Sequence, residues 1–239
     1  MFARKRPSEA PAPPPSAPGT VTRLVLQQRD PERVSVYLDG AFAFGLHRDL
    51  VLEFGLKKGL LLDVEAQRRL READGRMRAR QTALAFLSHR ARTRREVADR
   101  LRRDDHPPEL IEDVTAWLEQ RGLLDDAAYA RQYAESRQRS QGYGPARVRQ
   151  ELARRGVARD AAEEAVSDAF DPDDVATAAR EQADKRLPQI AREPDPQKRR
   201  RKLFDFLVRR GFPFDVAAEV TEAALKTLPE DYDSEGEDA

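Results

Sequence analysis

Apolar residues recur at helical spacing in three stretches of the chain, and the three stretches share one phrase. Each holds an apolar pair four residues apart, then a basic turn, then a second helical stretch. The phrases are REVADRLRRDDHPPELIEDV, RVRQELARRGVARDAAEEAV and RKLFDFLVRRGFPFDVAAEV, and the pairs are Val97/Leu101, Val148/Leu152 and Leu203/Leu207. Positions i and i+4 lie on one face of a helix, so each pair marks a buried stripe. Recurrence of such a phrase roughly every 50 residues is the signature of a tandem array.

Around these pairs the pattern predicts three-helix modules. Asp63 is placed to cap a long basic helix running towards MRARQTALAFLSHR, with Ala83, Leu84 and Leu87 on its core side. Thr93 begins the next helix, and Glu96 three residues later completes a capping box. His106-Pro107-Pro108 breaks that helix, and Leu110, Ile111, Val114, Trp117 and Leu118 form the stripe of the third. In the second copy Tyr129 and Tyr133 open the module, Gly142-Tyr143-Gly144-Pro145 turns, and Gly156 ends the middle helix; Gly211 takes that part in the third copy. Only residues 20–46 read as β structure. Val21, Leu24 and Leu26 lie in one run, Val34, Val36 and Leu38 alternate in the next, and Asp39-Gly40 leads into Ala41–Phe44. A two-residue Asp-Gly loop is a strong hairpin signal. Asp30-Pro31-Glu32 is expected to turn between the first two runs, and HRDLVLEFGL from His47 to cover the strands as a helix ended by Gly55 or Gly59.

The fold expected is mainly α: a tandem array of three three-helix modules (63–127, 128–171 and 172–228) behind a small β-rich N-terminal subdomain (20–62). Residues 1–19, rich in proline and alanine, and the acidic stretch from Pro229 to Ala239 lack periodicity and are expected to be disordered. Composition fits thin modules better than one thick core, since 36% of the 239 residues are charged and only 39% hydrophobic.

The net charge is zero, but the average conceals a polarity inside each module. Arg76 to Arg103 holds ten arginines against Glu96 and Asp99, whereas Asp104 to Asp126 holds eight acids against Arg121. Arg131 to Arg159 is again basic, Asp160 to Asp174 has seven acids and no base, and Lys198 to Arg210 returns seven bases against Asp205. A basic middle helix repeated in register makes a stripe suited to phosphates or to an acidic protein surface.

Motifs of catalysis are missing. Gly142-Tyr143-Gly144 lacks the third glycine and preceding strand of a dinucleotide loop, and His47, His89 and His106 have no partner at metal-ligand spacing. With no cysteine there is neither a disulfide scaffold nor a thiolate metal site. The expectation is therefore a non-enzymatic protein with no cofactor and no metal, a monomer, cytoplasmic, and not membrane-bound.

The phrases RVSVYLDGAFAFGL, ALAFLSHRARTRREVADRLRR, WLEQRGLLDDAAYARQYAESR and GYGPARVRQELARRGV resemble the RecX family of bacterial recombinase regulators. They cover roughly residues 20–170, and the third module extends the resemblance more loosely to about residue 227. The resemblance implies binding in the groove of the RecA filament on single-stranded DNA, with suppression of ATP hydrolysis, filament extension and strand exchange, and so a role in recombinational repair and the SOS response. The contact residues it implies, facing acidic filament surface or DNA phosphate, are Arg94, Arg95, Arg102, Arg103, Arg147, Arg149, Arg154, Arg155, Lys198, Arg199, Arg200, Arg201 and Lys202. One departure is Asp104-Asp105-His106, where the family usually has a lysine-glycine-aromatic turn, so that turn is not expected to be a basic contact. The alternative is a helical DNA-binding module or transcription regulator, because a three-helix unit with a basic helix can mimic a helix-turn-helix.

Overall fold

The computed structural model describes residues 17–228, so the acidic stretch from Pro229 and nearly all of the proline-rich segment lie outside it. Two compact units divide the chain. One combines residues up to Ser88 with Arg100–Val114, and the other combines His89–Asp99 with the chain from Thr115 onward.

In the first unit, β1 (Gly19–Gln27), β2 (Asp30–Leu38) and β3 (Ala41–His47) form an antiparallel meander. Asp39 and Gly40 both take positive φ, 49° and 89°, which matches the twist of a two-residue hairpin. The first reversal falls at Gln28-Arg29 and not at Asp30-Pro31-Glu32, because Gln27 already pairs with Asp30. Pro31 then sits at the start of a strand, where its missing N–H is tolerated. A fourth strand escaped the sequence reading: β4 (Leu61–Leu62) pairs with β1 and sets the order β3-β2-β1-β4. Two residues are too few to show a period. The helix expected at His47 is α1 (Arg48–Glu53), capped by the His47 ring, which accepts from the Asp49 N–H at 3.2 Å.

The core of this subdomain joins Val21, Val36, Phe44, Leu46, Leu56 and Leu62 to Leu70 of α2 (Val64–Leu87). Asp63 caps α2 by accepting from the Ala66 N–H. On α2 the buried apolar side chains are Leu70, Ala79 and Ala83, whereas Leu84 is 38% exposed and lies outside the expected core face. Asp74 ties α2 to the sheet. Its buried carboxylate takes both arms of the Arg33 guanidinium, at 3.2 and 3.1 Å, and the His47 N–H at 2.9 Å. A buried carboxylate is tolerated only when its oxygens are paired in this way.

The remaining helices are α3 (Arg94–Arg103), α4 (Pro108–Gln120), α5 (Asp126–Gln141), α6 (Pro145–Arg154), α7 (Arg159–Ala169), α8 (Pro172–Ile190), α9 (Pro196–Arg209) and α10 (Phe214–Leu225). With α2 they make three triplets whose middle members are α3, α6 and α9. All six residues of the repeating pairs are fully buried. Each middle helix closes identically. The N–H groups of His106, Val157 and Phe212 reach back to the carbonyls of Leu101, Leu152 and Leu207, each at 3.2 Å. Asp105, Gly156 and Gly211 sit just before them at φ of 60°, 82° and 90°. This is a Schellman closure, in which a left-handed residue lets the chain leave the helix while its last carbonyls stay satisfied.

Within the second unit the middle helices meet end to end. Gly144, the residue before α6, donates its N–H to the Arg210 carbonyl at 2.8 Å, and Ala146 donates to Gly211 at 3.1 Å. One module earlier, the Thr93 hydroxyl before α3 donates to the Arg155 carbonyl at 2.7 Å. Orphan carbonyls at the C-terminus of one middle helix thus serve groups at the start of the middle helix that precedes it in the chain, and the positive and negative helix ends face one another. Glycine is needed at the contact, since a Cβ on Gly144 would strike the Gly211 backbone and one on Gly211 would strike Arg147.

Candidate functional site

The thirteen basic residues picked out by sequence lie on α3, α6 and α9 and their ends, and the structure divides them into tied and untied groups. Arg94 forms an ion pair with Glu119 at 2.7 Å, while its backbone N–H donates to Asp126. Arg95 is exposed near Asp99 at 3.9 Å, and Arg102 and Arg103 are exposed on the last turn of α3. Arg149 pairs with Glu163 of α7 at 2.8 Å. On α9, Lys198 lies 3.5 Å from the capping Asp195, Arg200 pairs with Glu222 of α10, and Lys202 with Glu193. Arg199 is spent on the backbone, donating to the Glu193 carbonyl at 2.9 Å and the Pro194 carbonyl at 3.1 Å. Arg201 is the outlier, with 84% of its side chain in solvent and, among the described residues, only Asp205 as an ion-pair partner, at 3.7 Å. Exposed pairs of this kind cost little to exchange for another anion.

Module two concentrates its charge differently. Tyr133 on α5 and Glu151 on α6 are hydrogen-bonded, the phenol donating to the carboxylate. Arg155, the last residue of the α6 turn, donates to the Tyr133 hydroxyl at 3.2 Å, lies over its ring and approaches Glu96 at 3.7 Å. Arg137 lies over the same ring, 4.7 Å from its centroid. Arg147 stacks on Tyr143 at 3.9 Å, donates to its hydroxyl at 3.1 Å, and reaches Glu151 at 3.3 Å. Arg154 is exposed and has no ion pair among the described residues.

Tyr133, Arg137, Tyr143, Glu151, Arg154 and Arg155 line a cleft of about 450 Å³. Burial pushes the Glu151 carboxyl upward, but the Tyr133 hydroxyl and the Arg147 guanidinium outweigh it and hold the group below the ordinary glutamate range. It is therefore an anion at neutral pH. Arg137 is held above its ordinary range by its contact with Tyr133, and Arg155 is also raised, the Tyr133 hydrogen bond and its neighbours overcoming burial.

Arg147 and Arg155 thus have structural partners as well as positive charge, a dual role the sequence did not show. Arg137 was missed, although its i,i+4 spacing from Tyr133 on one helix was a legible signal. Among the described residues no helix is long and apolar enough to cross a membrane.

Four family profiles match consecutive parts of the chain: "Regulatory protein RecX N-terminal domain" at residues 19–63, and the RecX first, second and third three-helix domains at 79–118, 125–166 and 173–221. The chain belongs to the RecX family. Among its relatives, "Regulatory protein RecX" of Clostridium perfringens is 30% identical over 198 residues, covering 82% of this chain and 92% of that protein. The protein of the same name from Bacillus velezensis is 31% identical over 217 residues, covering 91% of this chain and 80% of its own length. A crystal structure of regulatory protein RecX superposes with a TM-score of 0.68 at 27% identity, covering 85% of this chain and 99% of that one. RecX from Lactobacillus salivarius gives 0.57 at 25% identity, covering 64% of this chain and 99% of its own. These RecX matches agree with the observed fold, three three-helix triplets behind a small strand subdomain.

Proposed function

We propose that the protein inhibits RecA by seating in the groove of its filament on single-stranded DNA, where it suppresses ATP hydrolysis, filament extension and strand exchange in the cytoplasm. Membership of a regulatory family supports this reading, and one observation carries it. The basic middle helices are joined end to end through shared hydrogen bonds, backbone to backbone between α6 and α9 and from the Thr93 hydroxyl between α3 and α6, so the same charged element recurs along one unit. Contacts that are weak singly then add through effective concentration on a repeating partner. The candidate contacts are the exposed cations above, with Arg154 and Arg201 foremost because the protein neutralises them least.

The third helices argue against a sequence-reading transcription regulator. In a three-helix DNA reader the third helix enters the major groove. Here α7 reads RDAAEEAVSDA and α10 FDVAAEVTEAAL, each with more acids than bases, and DNA phosphates would repel them. Electron microscopy of RecA filaments on single-stranded DNA, with and without the protein, tests the proposal. Added density following the filament groove is expected; bare filaments of unchanged length at saturating protein would refute it.

A further inference from the structure

Among the basic residues, those lining the cleft of module two differ from the rest in what they face. Most of the other candidate cations face a carboxylate or a carbonyl of their own module. In the cleft, Arg137 and Arg154 stand on α5 and α6 with no carboxylate paired to either among the described residues. The Nε atoms of Arg137 and Arg155 are buried without a hydrogen-bond partner. Tyr133 is 9% exposed and forms the floor, and Tyr143 is half-buried at the wall with Arg147 over its ring. Glu151 lies among them, an acceptor in an otherwise cationic pocket.

We infer that this cleft is a subsite for one nucleotide of a single-stranded nucleic acid, its phosphodiester held between Arg137 and Arg154 and its base set against Tyr143. The inference rests on the filament reading and assigns one part of that surface to the nucleic acid in place of RecA. Three features together favour this ligand over an acidic peptide. Paired guanidiniums bind either a phosphate or a carboxylate. An aromatic wall beside them is used by a base, which stacks in a sequence-tolerant way. Glu151 accepts from Tyr133 and Arg147 and keeps lone pairs beyond those, which can accept from an amino or imino group of a base. A lone acidic side chain would use the cations alone. The volume, about 450 Å³, lies within the range of small-ligand sites.

The test uses the full chain and a fluorescein-labelled oligothymidylate of about 16 nucleotides, read by anisotropy across a salt series. Replacing both cations, Arg137→Ala with Arg154→Ala, should make the slope of log K against log salt shallower by about 0.7, the contribution of one single-strand phosphate. Tyr143→Ala should weaken binding by roughly 5- to 150-fold, the range that loss of one base–aromatic stack gives. Tyr143→Phe should retain it. Thermal melts of every variant guard against misfolding, and the arginine pair serves where Tyr143→Ala does not fold. An unchanged slope in the folded arginine variant overturns the inference. So does displacement of the oligonucleotide by a polyglutamate peptide as readily as by unlabelled oligonucleotide, which would assign the cleft to an acidic protein surface. RecA ATPase measured on the same preparations separates the two proposals. Lost slope with suppression retained leaves regulation standing, and normal oligonucleotide binding without suppression removes regulation but not the cleft.

Discussion

Asp105, Gly156 and Gly211 occupy the same left-handed turn, and only two of the three are glycine. Asp105 is solvent-exposed, and aspartate is among the side chains that tolerate this backbone best. Gly211 is buried against the Arg147 backbone, where any Cβ would collide. The two sites should therefore respond in opposite ways in urea unfolding. Gly211→Ala should cost more than about 2 kcal/mol, from left-handed strain plus steric overlap. Asp105→Gly should be neutral or stabilising, by no more than about 1 kcal/mol. A similar contrast holds between neighbours on α6. Arg154→Glu should leave stability within about 0.5 kcal/mol of the parent, because the exposed side chain has no ion-pair partner among the described residues. Arg155→Glu should cost roughly 1–3 kcal/mol, since it breaks the bond to Tyr133 and puts a third carboxylate beside Glu96 and Glu151. Only Arg154 is therefore a clean probe of function, and Arg154→Glu is expected to weaken suppression of RecA ATPase.

Helices were the legible part of the sequence, because their apolar period repeats three times and their caps are local. The Thr93/Glu96 box is present as read, with the Thr93 hydroxyl accepting from Glu96 N–H and the Glu96 carboxylate accepting from Thr93 N–H, both at 3.2 Å. The joints between middle helices were not legible, since Thr93 finds Arg155 across 62 residues and no local period records such a pairing. For the same reason the cleft was only half visible. Tyr133 and Tyr143 were noticed as a module opening and a turn, but their convergence with Arg137 depends on how α5 packs against α6. Thr93→Ala should destabilise by about 1–2 kcal/mol, a large cap effect because the joint is lost with the cap, and urea midpoints would measure it. Acidity should loosen the same region. Glu151 and Glu96 are both held below the ordinary value of 4.5, against burial, by their hydrogen-bonded and charged partners. A carboxylate with a depressed folded pKa contributes stability above its unfolded value and loses it as pH falls through the folded one. The unfolding free energy should accordingly drop on acidification below 4.5. Glu151→Gln should flatten part of that drop, whereas an identical profile in the variant would deny Glu151 its charged role.

Across the whole molecule the charges cancel to zero, yet they are sorted by element: basic middle helices, acidic third helices. A protein with no net attraction for a polyanion can still grip one through a repeated local face, and its binding should then weaken steeply with salt. Shared hydrogen bonds between consecutive middle helices give that face a fixed repeat within the second unit, which suits a partner that is itself a repeat. ATP hydrolysis by RecA on single-stranded DNA reads regulation of RecA most directly. Titrating in the protein should depress hydrolysis at substoichiometric ratios to RecA, with Arg154→Glu shifting the curve to higher concentration. Hydrolysis that stays constant through a large molar excess of folded protein would contradict it.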